Sequence, residues 1–96
     1  MAFVYLLRCA DGSLYCGWTI DLAKRLATHE QGKASRYTAS RRPVELAAAW
    51  ELPTRTEARS LEARIKRLTR REKLALVRGD GSAVLPTRGL VQVPLL

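Results

Sequence analysis

The chain has 96 residues, 47% of them hydrophobic and 27% charged, enough for one domain with a single modest core and too short for two. No apolar run approaches the roughly 18 residues needed to cross a bilayer, which excludes a helical membrane protein. Seventeen Lys and Arg against nine Asp and Glu give a net charge of +8, which favours a polyanionic partner.

The charge is unevenly placed. Residues 55–78 hold nine basic and three acidic side chains, Lys66 and Arg70 among the basic ones, whereas residues 1–54 hold seven against five. A clustered basic excess is the footprint expected for nucleic acid. The plain alternative is a solvated helix face with no partner. Cys9, Cys16 and one histidine do not make a zinc site, and the cysteines fit as small buried strand residues. The N-terminus shows neither the basic start nor the small-residue cleavage site of a signal peptide, so a cytoplasmic protein is expected.

Residues 3–9 are apolar on both parities, which predicts a central strand covered on both faces. Ala10-Asp11-Gly12-Ser13 is a turn, and Leu14 to Trp18 a second strand. Asp21 is a good N-cap for a helix to about Gln31, stopped by Gly32. Its core stripe is expected to be Leu22, Ala23, Leu26 and Ala27, with Arg25 and His29 together at the edge of that stripe. Residues 32–43 form a loop or irregular short helix in which Lys33, Arg36, Arg41 and Arg42 surround Tyr37. Leu46 to Leu52 is a third strand. Thr54 to Glu57 and Thr69 to Glu72 are capping-box patterns that open two further helices, the first with Ala58, Leu61, Ile65 and Leu68 inward and the second ending at Gly79. Residues 1–79 are thus expected as the domain, and residues 80–96 as a tail or an extra edge strand from Leu90 to Val93.

Hairpin parity constrains the two tyrosines of the first strands. A two-residue loop at Asp11-Gly12 would place Tyr5 and Tyr15 on opposite faces. A three-residue loop, Ala10-Asp11-Gly12 with Gly12 left-handed, puts Tyr5 opposite Gly17 and Tyr15 opposite Leu7. The tyrosines then share a face, and Gly17 leaves room beside Tyr5. The same parity separates Cys9 from Cys16 and argues against a disulfide.

Several side chains have ordinary readings singly and a chemical one together. Glu62 lies at the margin of an apolar helix face, where a carboxylate needs a partner. That partner is a neighbour, Arg59 or Lys66, or it is Mg²⁺, which takes one or two carboxylates plus water and phosphate oxygens. Arg25 suits the phosphate oxygens of a phosphodiester. His29 suits proton transfer or phosphate holding. Tyrosine serves as a general base only where cations lower its pKa, a role open here to Arg8, Arg25 or a metal ion.

The run VYLLRCADGSLYCGWTIDLAKRLATHEQGKASRYT, followed by LEARIKRLTRREK, resembles the GIY-YIG nuclease domain in its small single-domain bacterial branch. It is also similar to the nuclease half of a structure-specific endonuclease. The resemblance covers about residues 3–78. Phe3 and Val4 stand where the first motif has Gly-Ile, and Cys16 where the second has Ile. The resemblance implies an α/β (α+β) sandwich with a central three-stranded antiparallel sheet flanked by helices. It implies one Mg²⁺ or Mn²⁺ ion and hydrolysis of phosphodiester bonds. Tyr5 matches the candidate general base, Tyr15 and Gly17 the second motif, Arg25 the phosphate-contacting arginine, His29 a position that is often His or Tyr, and Glu62 the metal-binding glutamate. Lys33 and Tyr37 match a loop of lesser role.

The expectation is therefore a metal-dependent, structure-selective endonuclease acting on DNA. Its catalytic set is Tyr5, Tyr15, Arg25, His29 and Glu62, with Glu62 on the metal. Arg8, Lys33, Arg36, Tyr37, Arg41, Arg42, Lys66 and Arg70 would contact nucleic acid, and a protein partner could supply specificity. The alternative is a non-cleaving nucleic-acid-binding module of the same fold.

Overall fold

The structure is a computed structural model that describes residues 1–79 and 91–94. Its elements are β1 (Ala2–Arg8), β2 (Leu14–Thr19), α1 (Leu22–Glu30), α2 (Arg36–Ala39), β3 (Glu45–Leu52), α3 (Arg55–Lys66), α4 (Arg70–Val77) and β4 (Val91–Gln92). They build a four-stranded antiparallel sheet in the order β2-β1-β3-β4. Three strands form the expected central sheet. The fourth is a two-residue strand against Trp50 and Glu51 of β3. Val93 follows it, its N–H donating to the Ala49 carbonyl at 2.8 Å, while residues 80–90, Leu90 included, and 95–96 lie outside the described residues.

β1 is central because it has no polar face. Val4 and Leu6 point into a core with Trp50, Leu52, Ala58, Leu61, Ile65 and Leu76. Tyr5, Leu7 and Cys9 point the other way, against Leu22, Leu26, Val44 and Ala49. Period-two alternation thus sends even residues to the α3/α4 layer and odd residues to the α1 layer. Cys9 and Cys16 sit in different cores, both buried and both free.

The hairpin has the odd-length loop that parity requires. Cys9 N–H donates to the Ser13 carbonyl and Gly12 N–H to the Cys9 carbonyl, each at 2.9 Å. Gly12 has φ +82°, a left-handed value that a side chain would resist. The register pairs Tyr5 with Gly17 and Leu7 with Tyr15.

Each long helix begins at a side-chain cap. Asp21 accepts from Lys24 N–H, and Thr54 accepts from Glu57 N–H. Only α4 has the reciprocal box, with Glu72 returning a carboxylate oxygen to Thr69 N–H. Each such cap stabilises by about 1 kcal/mol.

One expectation about a helix face needs correction, and the basic cluster of residues 55–78 is divided between faces. Ala23 and Ala27 of α1 are exposed, while His29 is buried at 1% exposure. At 100° per residue Leu22, Leu26 and His29 fall within about 60° of one another, so His29 belongs to the inward stripe and not to its edge. On α3, Arg55, Arg59, Glu62 and Lys66 fall within about 60°, whereas Arg64 lies about 180° from Arg55. The charge of residues 55–78 does not form one face.

Candidate active site

β2 is an edge strand, and a cleft of 330 Å³ opens across that edge. Tyr5, Tyr15 and Gly17 line its floor, Arg25 enters from α1, and Arg55 and Glu62 enter from α3. The cleft draws on both helical layers because the edge strand separates them by only one residue width. Four of the five residues expected to be catalytic line it. The fifth, His29, stands behind Tyr5.

Gly17 decides where Tyr5 lies. A Cβ built on Gly17 would come within 2.5 Å of the Tyr5 hydroxyl and 2.6 Å of its Cζ. The ring therefore folds over the glycine backbone. From there the hydroxyl reaches His29 Nε2 at 2.8 Å. His29 Nδ1 in turn lies 2.8 Å from Thr38 Oγ1. Thr38 is fully buried, and its hydroxyl lies 3.2 Å from the Oγ of Ser35, the N-cap of α2. A buried chain of polar groups thus runs from the cleft to the cap of a short helix. With Nδ1 protonated, Nδ1–H donates to Thr38 and Nε2 accepts from the Tyr5 hydroxyl.

Electrostatics correct one expectation. The Tyr5 pKa is raised, chiefly by burial and then by Tyr15, and the nearby Arg25 guanidinium offsets this only in part. Arg8 is remote, at the far end of β1 and 3.4 Å from Glu45. The phenol is therefore protonated at neutral pH. Burial, then Arg25, pushes the His29 pKa below its usual value, so the imidazole is neutral and can accept a proton. Cys16, in the core beneath α3, is pushed up to about 12 by burial first and then by Glu62, and stays a thiol.

Glu62 pairs with Lys66 at 3.7 Å, with 19% of its side chain exposed. Among the described residues no three His, Cys, Asp or Glu side chains converge. A single carboxylate facing an open polar cleft fits Mg²⁺ or Mn²⁺, whose remaining positions go to water and phosphate oxygens. It does not fit a metal that needs a full protein cage.

Several residues expected to touch nucleic acid are committed elsewhere. Tyr37 stacks on Tyr15 at 5.8 Å between ring centroids and has Arg41 Cζ 3.8 Å from its own centroid, so its ring, 38% exposed, is already engaged within the protein. Arg41 also bonds Asp11 Oδ2 at 2.9 Å, and the hydrogen bonds from Ser13, helped by Arg41, hold the Asp11 carboxyl below its usual pKa. Arg42 donates to the Ala39 and Glu30 carbonyls, closing the loop on the end of α1. Arg70 donates to the Gly12 carbonyl at 3.0 Å. These three arginines hold loops that lack their own ladder bonds. Lys33 and Arg36 remain exposed with no ion pair among the described residues. Sequence reasoning missed Thr38, Ser35 and Arg55. The Ser35-x-x-Thr38 spacing is a cap pattern that could have placed Thr38, whereas Arg55 gave no local signal.

This edge cleft, with tyrosines and an arginine on one side and a lone carboxylate on the other, is that of a small nuclease-type catalytic domain. The model of the GIY-YIG catalytic domain matches residues 1–75, and the chain belongs to that family. Among its relatives, the UPF0213 protein YsiG of Lactococcus lactis subsp. lactis is 47% identical over 79 residues, which span 81% of this chain and 76% of YsiG. The UPF0213 protein RBAM_000440 of Bacillus velezensis is 52% identical over 71 residues, 74% of this chain and 72% of that one. A solution NMR structure of the UPF0213 protein BH0048 from Bacillus halodurans is similar with a TM-score of 0.55 and 43% identity, covering 84% of this chain and 87% of that chain. The domain type implies a nucleic-acid substrate. Among the described residues no helix is long and apolar enough to cross a membrane.

Proposed function

We propose that this protein is a divalent-metal-dependent endonuclease of the cytoplasm that hydrolyses phosphodiester bonds in DNA of particular structure, in repair or recombination. The observation that carries this reading is the 2.8 Å bond from the Tyr5 hydroxyl to the buried His29, with Tyr5 facing the cleft that holds Arg25 and Glu62. A phenol of raised pKa is a poor base alone. Backed by a neutral imidazole it need never ionise: the attacking water gives a proton to the Tyr5 oxygen while the phenol proton passes to Nε2. The water oxygen bonds to phosphorus, one P–O ester bond breaks, and its electron pair leaves on the sugar oxygen, which takes a proton from solvent. The Tyr5–His29 bond favours Tyr5 over Tyr15 as the group that receives the proton. Tyr15, edge-on to His29 at 5.3 Å between ring centroids, would help hold the imidazole in place. Arg25 and Arg55 would brace the phosphate oxygens.

Glu62 would hold Mg²⁺ or Mn²⁺, which supplies charge neutralisation at the phosphate when bound. A partner protein could supply the choice of substrate. The rival reading, a non-cleaving binding module, draws on the Glu62–Lys66 pair, which leaves the carboxylate already balanced. Incubation of single-stranded, duplex and branched DNA with and without Mg²⁺ or Mn²⁺, beside Glu62→Ala, separates the two. Metal-dependent product that the variant lacks, with binding within about threefold of the parent, supports the endonuclease. Binding with no product in any metal supports the module.

A further inference from the structure

A second cleft, of 460 Å³, adjoins the first and shares Thr19, Ile20 and Arg25 with it. Its remaining wall includes Lys24, Thr28 and Lys33. Lys24, Arg25 and Lys33 have no ion pair among the described residues, unlike the arginines that hold the loops. Asp21, the acidic group at this cleft, is occupied in capping Lys24 N–H. Ile20 stands on the ridge between the two clefts and is 54% exposed. It belongs to the exposed large hydrophobics, and no core explains it.

We infer that the second cleft is a subsite for the nucleotide next to the scissile phosphate, with Ile20 seated against its unstacked base. This inference rests on the nuclease reading of the first cleft. Each cleft has the volume of a small-ligand site, at the low end of about 300–1,000 Å³, which is room for one nucleotide. The free cations of the second cleft match a phosphate, and the shared Arg25 sits where consecutive phosphates of one strand would both pass. An aliphatic side chain gains nothing beside a phosphate, which it would desolvate. It gains beside a base face, and apolar wedges at a strained base step are a recurrent means of unstacking. Opening a base step of continuous duplex costs a few kcal/mol, and the cost is least where the base is already unpaired or mispaired. The substrate class is therefore DNA with an unpaired or easily opened position beside the cut, such as a branch.

The test uses the full chain in EDTA and branched DNA with 2-aminopurine in the base pair that borders the branch. Parent binding should raise the fluorescence at least about twofold by unstacking. Ile20→Ala should remove most of that rise while weakening affinity less than about threefold. Lys24→Ala/Lys33→Ala should weaken binding about tenfold and flatten the salt slope by about 1.5, as loss of two phosphate contacts requires. Arg64→Ala, which removes a cation from the far side of α3, should do much less. A fluorescence rise that Ile20→Ala leaves intact, or a double variant that binds as well as Arg64→Ala, overturns the subsite. Parent protein that gives the full unstacking signal but no product with Mg²⁺ or Mn²⁺ overturns the nuclease reading, and leaves the second cleft as a nucleotide-binding site with no scissile phosphate beside it. Product without the signal does the reverse.

Discussion

Gly17 and Tyr5 face each other across the β1–β2 ladder, and the missing side chain of one is the space taken by the ring of the other. Gly17→Ala puts a methyl group into that ring. The ring must move, and the 2.8 Å contact with His29 moves with it. Overpacking of this kind costs about 1–3 kcal/mol, and misplacement of a catalytic group by about 1 Å costs about 10²-fold in rate. Denaturant unfolding and cleavage rates should both register the change. Unaltered cleavage would show that the Tyr5 hydroxyl need not occupy this position.

His29 sets the pH response. Its pKa is lowered by burial and by Arg25, so the neutral, proton-accepting form persists below the usual range near 6.5. The acid limb of the cleavage profile should fall below that value. Stability carries the same sign. The unfolded chain binds the proton first, so the contribution of His29 to folding is complete above about 6.5 and lost as pH falls toward the folded value. Melting temperatures between pH 7 and pH 5 test this, and His29→Asn should flatten the dependence. A cleavage profile whose acid limb lies above 6.5 would remove His29 from the proton path.

Thr38→Val keeps the shape of Thr38 and removes its hydroxyl. His29 Nδ1 then loses its partner inside the protein, at a cost of about 1–3 kcal/mol. With nothing to hold the proton on Nδ1, the imidazole should populate its other tautomer, visible in ¹⁵N spectra of the ring. Cleavage should fall about tenfold, and Thr38→Ser should restore both tautomer and rate. A variant with an unchanged ¹⁵N spectrum would leave Thr38 as packing alone.

Glu62→Gln should reduce metal-stimulated cleavage at least about 10³-fold. Lys66→Ala should act differently. The pair it breaks has a half-exposed lysine, so the fold should lose less than about 1 kcal/mol. Freed of its internal counter-charge, Glu62 should take up metal at a lower concentration, measurable as calorimetric affinity and as a shifted half-saturating Mg²⁺ in cleavage. If both quantities stay fixed, Lys66 does not compete for the carboxylate.

Arg70→Ala removes the bond to the Gly12 carbonyl and should cost about 0.5–1.5 kcal/mol of stability. Its effect on DNA affinity should be smaller than that of Arg55→Ala, although both remove one positive charge. Equal losses of affinity would return Arg70 to the binding surface.

The hairpin register was legible in the sequence because parity admits few solutions: only an odd loop puts Tyr5 and Tyr15 on one face, and Gly12 could adopt the turn. The burial of His29 was also available, since Leu22, Leu26 and His29 share a helical stripe. Adjacent alanines drew that stripe the wrong way, because alanine is as content outside as in. The use of the arginines was not legible. Arg41, Arg42 and Arg70 reach carbonyls or a carboxylate on other elements, and composition cannot separate such structural cations from free ones. Nor could charge alone show that the α3 stripe of Arg55 and Glu62 meets Arg25 across an edge strand.

That meeting makes the cleft a joint between two independently packed layers. Arg25, with Tyr5 and His29 beside it, is set by the core beneath α1, whereas Arg55 and Glu62 ride on α3, whose seat is the separate core built on Ala58, Leu61 and Ile65. A volume change in the second core, at Leu6 or Ile65, would shift the carboxylate relative to the phenol without touching either. Alignment between layers would then fail while the protein still folded. Catalysis in such an enzyme should be a finer gauge of its packing than any melting curve.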